Sequence, residues 1–120
     1  MEIRGARVLL LEDDALISID AQDMLLALGA DTVFACYTLA EAEAVLAREA
    51  VDAAMLDVRI GSSHSNGFAL DLAARGIPFI VTTGYGAEAR RSAGMDRVPA
   101  VDKPYAPETL TAAFQALGCL

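Results

Sequence analysis

The 120-residue sequence has no tryptophan, a single histidine, a single lysine and only two cysteines. Cys36 and Cys119 lie far apart, with no metal-knuckle spacing and no disulfide framework around them. Two free thiols in a reducing compartment are therefore expected. Long apolar runs are also missing. Nothing approaches the ~18 residues that a membrane-spanning helix needs. The run Val8–Leu11 meets Glu12, Asp13 and Asp14 at once, which is too short and wrongly flanked for a secretion signal. A soluble cytoplasmic protein with no membrane partner is the expectation. Basic residues are few, with Lys+Arg 9 against Asp+Glu 17 and a formal net charge of −8. That field repels phosphate backbones and disfavours nucleic acid as a partner. It suits a divalent cation or a basic protein surface.

Apolar residues are plentiful. Hydrophobic residues make up 55% of the sequence and charged residues 22%, a balance that excludes disorder. The length fits one domain, residues 1–120, with no room for a second core. Strand-like and helix-like segments alternate along it. Arg7–Leu11 is nearly all apolar, as a strand buried on both faces should be. Ala15–Leu28 carries Ile17, Ala21, Leu25 and Leu28 at helical spacing, with Gly29 as the stop. Asp31–Cys36 is a second strand. Thr38 and Glu41 have capping-box spacing for a helix to about Glu49. Val51–Leu56 is a third strand, ending on Asp57.

The Gly/Ser/Asn-rich stretch from Val58 to Asn66 predicts a loop. Gly67–Arg75 predicts a short helix with Phe68, Leu72 and Leu70 inward. Pro78–Thr82 is a fourth strand, and Ala87–Ala93 a weak helix. Val98–Val101 is a short fifth strand, and Pro107 opens a last helix to about Leu117. This alternation predicts an α/β domain with a parallel sheet covered on both faces.

In such a sheet, ligands bind beyond the carboxyl ends of the strands, where the strand order reverses. Four strands deliver polar groups there: Glu12 and Asp13, then Asp57, then Thr82 and Thr83, then Asp102 and Lys103. Three carboxylates brought together need a positive neighbour to stay ionised. Mg²⁺ suits oxygen ligands of this kind and shares them with phosphate oxygens. Lys103, the only lysine, can pair with a carboxylate or a phosphoryl oxygen. The set predicts an acidic, ion-holding pocket that stabilises a phosphoryl group on a carboxylate.

Four segments carry a family resemblance. They are Leu9-Leu10-Leu11-Glu12-Asp13-Asp14, Met55-Leu56-Asp57, Val81-Thr82-Thr83-Gly84 and Asp102-Lys103-Pro104. In this order and spacing the sequence resembles the receiver domain of bacterial two-component response regulators, over essentially its whole length. The resemblance implies a doubly wound, flavodoxin-like or CheY-like sheet of order 2-1-3-4-5. It implies Asp57 as phosphoacceptor, taking its phosphoryl group from a sensor histidine kinase or a histidine phosphotransferase. It implies Mg²⁺ (or Mn²⁺) on Glu12, Asp13, Asp57 and the backbone carbonyl of Arg59. Thr83, five residues after Pro78, takes the switch position rather than Thr82, and Lys103 bridges to the phosphoryl group. The implied product is a signal passed to a downstream protein partner, reset by hydrolysis, and not a turnover enzyme. With no residues left for an output domain, output is expected by protein contact or onward transfer.

The sequence departs from the family's commonest pattern. Ala100 stands where an aromatic is usual, three residues before Lys103, and Tyr85 is the candidate substitute. Arg59 places a guanidinium beside the acceptor, where it would slow hydrolysis. The stretch Pro78-Phe79-Ile80-Val81-Thr82-Thr83-Gly84-Tyr85 resembles a subgroup of stand-alone receivers with a Pro-Phe-x-x-x-Thr-Gly-Tyr motif. Three rival functions are weighed against this reading. They are a phosphorylation-independent pseudo-receiver, an aspartyl-phosphate phosphatase and a flavin-binding protein. The phosphatase would need an acid at position 59. Simpler roles are expected for Asp14 as a helix cap, His64 as an exposed loop residue, and Arg90 and Arg91 as a solvated face.

Overall fold

The structure, a computed structural model, describes residues 2–61, 63–83, 98–103 and 105–118. Its elements run β1 (Arg7–Leu11), α1 (Ala15–Ala27), β2 (Thr32–Cys36), α2 (Leu39–Arg48) and β3 (Ala53–Asp57). Then come β4 (Arg59–Ile60), β5 (Ser63–His64), α3 (Asn66–Ala74), β6 (Phe79–Thr83), β7 (Ala100–Asp102) and α4 (Pro107–Ala116). The predicted helix at Ala87–Ala93, with Arg90 and Arg91, lies outside the described residues, as do Tyr85, Pro104 and Cys119.

Five strands form one parallel sheet in the order β2-β1-β3-β6-β7. This is the expected 2-1-3-4-5 once the separate β4-β5 pair is set aside. Side chains alternate across the sheet with period two. Val8, Leu10, Met55, Ile80 and Val101 join Ala21 and Leu25 of α1 and Leu110, Ala113 and Phe114 of α4. Leu9, Leu11, Ala54, Leu56 and Val81 join Ala42 and Leu46 of α2 and Phe68, Ala69 and Leu72 of α3. The two cores share the sheet as a wall. That double burial is why the central strands read as continuous apolar runs. Phe114 is fully buried in the first core. Phe114→Ala is expected to cost about 3–5 kcal/mol. A urea titration should show it as a lower midpoint at an unchanged slope.

Local chemistry sets the helix ends. Asp14 Oδ1 accepts the N–H groups of Leu16 at 2.9 Å and Ile17 at 3.1 Å, so Asp14 is the cap of α1. Thr38 Oγ1 accepts Glu41 N–H at 3.1 Å, while Glu41 Oε1 reaches back to the N–H of Tyr37 at 2.9 Å. Gly29 turns the chain out of α1 at φ +107, and a Cβ there would meet Arg4 at 3.2 Å.

Two expectations need correction. The stretch after Asp57 is no simple loop, because β4 and β5 pair antiparallel, Arg59 with His64 and Ile60 with Ser63. Val58 and Ile60 go into the second core, which anchors the hairpin. Leu70 does not face inward; it is 71% exposed. Phe68 and Leu72 are four residues apart on the buried face of α3, and position 70 points away from it. Strand and helix bounds otherwise shift by one or two residues; β6 gains Thr83 and β7 gains Asp102. Among the described residues, no helix is long and apolar enough to cross a membrane.

Candidate functional site

The strand order reverses between β1 and β3, the pair at the centre of the sheet. Glu12 and Asp13 follow the carboxyl end of β1, and Asp57 ends β3 beside them. One carboxylate oxygen from each of the three lies within 4.8 Å of the others. Lys103 enters from the far side, just after β7, where its N–H bonds Thr83 O at 2.9 Å. Its ammonium lies 2.6 Å from Glu12 Oε1 and 2.7 Å from Asp57 Oδ2. The one ammonium is thus shared between two buried carboxylates.

Backbone donors fix all three acids. Glu12 Oε2 accepts the N–H of Asp14 at 3.0 Å. Asp57 Oδ1 accepts the N–H of Arg59 at 3.2 Å. Asp13 Oδ2 accepts the N–H of Gly61 at 2.9 Å. Glu12 is 1% exposed and Asp57 6%. Burial pushes both carboxyls above their usual range, against the pull of the Lys103 ammonium. Burial pushes Asp13 the same way, but the Gly61 N–H and further hydrogen bonds hold it below its usual range. Burial also pulls on Lys103, yet Asp57 and Glu12 outweigh it and hold the ammonium firmly protonated.

Among the described residues, the three carboxylates against the Lys103 ammonium sum to a charge near −2 when all are ionised. The three converging carboxylates, an all-oxygen donor set, fit a hard divalent cation, which would cancel that charge. Arg59, two residues beyond Asp57, is on the exposed side of β4. Thr82, not Thr83, is Asp57's register partner across β3 and β6. Thr83 lies one residue further along and is buried. Ala100 is in β7, and Tyr85 is outside the described residues.

Three nearby residues escape a reading of the sequence. Ser65 is fully buried, and its hydroxyl donates to Asp57 O at 2.6 Å, sealing the peptide that carries this carboxylate. The signal was hidden in a Ser-rich stretch that looks like a loop. Tyr105 lines an apolar cavity of about 300 Å³ with Ile17, Asp20, Met24 and Lys103. Its buried hydroxyl has no partner among the described residues. Burial, with Glu12, Asp57 and Asp20, raises that phenol well above its ordinary range. Gly61 is the third, through its N–H to Asp13. Cys36 is a free, buried thiol, pushed up to about 11 by burial, and takes no part in the pocket.

Neither a protein-family profile nor a curated protein matches the sequence. Solved structures do. SdrG from Sphingomonas melonis Fr1 superposes with TM-score 0.82 at 35% identity, over 98% of each chain. The receiver domain of the PhyR response regulator from Erythrobacter litoralis gives TM-score 0.81 at 24% identity, over 96% of this chain and 91% of that one. A response regulator receiver protein from Sinorhizobium medicae WSM419 gives TM-score 0.82 at 22% identity, over 97% and 96%. The sheet order, the acids at its switch point and this kinship over nearly the full length agree: the chain belongs to the response-regulator receiver domains, the CheY-like family.

Proposed function

We propose that Asp57 accepts a phosphoryl group from a phosphohistidine on a sensor histidine kinase or histidine phosphotransferase. The observation that supports this reading is the convergence of Glu12, Asp13, Asp57 and Lys103 at one point of the sheet. An oxygen of Asp57 attacks phosphorus as the phosphorus–nitrogen bond breaks, and the departing imidazole keeps the bonding pair and takes a proton from solvent. Lys103, already against Asp57, meets the charge that gathers on the phosphoryl oxygens. Thr83 offers its hydroxyl to the same group. Glu12, Asp13, Asp57 and the Arg59 carbonyl are the residues that would hold Mg²⁺ (or Mn²⁺). When bound, that ion supplies positive charge against the transferring group.

Rearrangement of Thr83 and Lys103 shifts an equilibrium between two surface shapes, which a downstream protein reads. Tyr85 is the aromatic proposed to follow Thr83, in place of one at Ala100. Hydrolysis of the aspartyl phosphate restores the starting state, and the Arg59 guanidinium slows it.

Incubation with a small acyl phosphate, followed by intact mass measurement, tests the reading. One added phosphoryl group is expected with Mg²⁺, and none when EDTA removes the ion. No addition under either condition would overturn it in favour of a phosphorylation-independent interaction module.

A further inference from the structure

The β4-β5 hairpin stands directly against the acids, and its register determines which groups it offers them. Ser65 N–H bonds Val58 O at 2.9 Å, while the Val58 N–H goes to Thr82 O at 3.0 Å, so a single bond ties Val58 to Ser65 at the mouth of the hairpin. Along an antiparallel ladder, positions whose backbone groups face the partner alternate with positions whose backbone groups face outward. Arg59 and His64 are the next pair, so the Arg59 N–H turns away from β5, toward Asp57. Two residues on, Gly61 projects its N–H the same way and meets Asp13. Ile60, between them, is buried in the second core and holds the ribbon in place. One edge of the hairpin thus grips two acids from separate strands of the sheet.

Gly61 can do this because its φ is +58, a conformation that most side chains resist. Among the described residues, nothing lies within 4 Å of where its Cβ would be, so they leave room for a side chain there. The backbone angle and the N–H are the features that matter.

We propose that the Gly61 N–H is a positioning group for the cation site: it fixes the Asp13 carboxylate so that the ion finds its ligands already arranged. This rests on the cation-binding role proposed above. Hydrogen-bond partners that orient a metal-ligating carboxylate commonly set affinity by about 10- to 100-fold. Gly61→Pro removes the N–H and forbids the positive φ. Gly61→Asn keeps the N–H, and asparagine tolerates that backbone region.

Calorimetric titration with Mg²⁺ alone should show binding weakened about 10- to 100-fold in Gly61→Pro. Gly61→Asn should stay within about threefold of the unsubstituted chain. Equal affinity in Gly61→Pro, or an equal loss in Gly61→Asn, overturns the proposal. Should Gly61→Pro fail to fold, amide exchange decides. The Gly61 N–H must exchange about tenfold faster in Asp13→Ala than in the unsubstituted chain, and equal rates overturn the proposal. An unsubstituted chain that binds no Mg²⁺ overturns the cation-binding role and this inference together. Binding that the Gly61 variants leave unchanged overturns this inference alone.

Discussion

Asp57→Asn is expected to stop phosphoryl uptake from a small acyl phosphate, a fall of roughly 10³-fold or more, the scale seen when a covalent nucleophile is removed. The amide matches the carboxylate in shape but lacks its nucleophilic oxygen. The fold should survive. Lys103 keeps Glu12 as its ion-pair partner, so no cation is stranded by the change. One of three crowded negative charges disappears, which relieves repulsion around Glu12. Urea midpoints should therefore stay within about 1 kcal/mol of the unsubstituted chain, or rise. A variant that still gains a phosphoryl group would place the acceptor elsewhere, and Asp57 would lose its assigned role.

Lys103→Met carries the second large effect, this time on stability. It strands Glu12 and Asp57, both buried, without their counter-charge. Breaking a buried ion pair from one side costs about 3–5 kcal/mol. The penalty should depend on pH. Glu12 and Asp57 have folded-state values raised by burial, so the folded chain holds their protons more tightly than the unfolded chain does. The stability they lend is complete below the ordinary carboxylate range and is lost as pH rises through the raised values. Removing Lys103 raises those values further, so the variant should be near the unsubstituted chain in acid and far below it at pH ~8. Urea titrations in EDTA at several pH values would show this. A penalty under about 1 kcal/mol at pH ~8 would mean that the two ion pairs do not hold the pocket together.

The main frame of the site was legible because a doubly covered parallel sheet writes itself plainly. Val8–Leu11 and Ala53–Leu56 are apolar on both faces, so the first acid after each marks a strand end. Lys103 stood out as the only lysine, next to a short apolar strand. The hairpin was not legible. Its strands are two residues long, and the apolar signal rests on Val58 and Ile60 amid Gly and Ser. Two positions are too few for a periodicity to show. Leu70 was misplaced because α3 is apolar on several sides, so composition alone could not say which side faces the sheet. The choice between Thr82 and Thr83 depends on register, which adjacent threonines at a strand end leave open.

A further consequence concerns covalent labelling. The sequence contains one side-chain amine, which sits 17% exposed between two carboxylates and is held in its charged form. Acylating reagents need the neutral amine, so coupling to a resin or dye should pass this group by and take the terminal α-amine, whose ordinary value is near 8. Acetyl transfer to the side chain would erase the ammonium charge that pairs with Glu12 and Asp57. Such a mark would be no neutral surface ornament, since it would land on the group that holds the acids together.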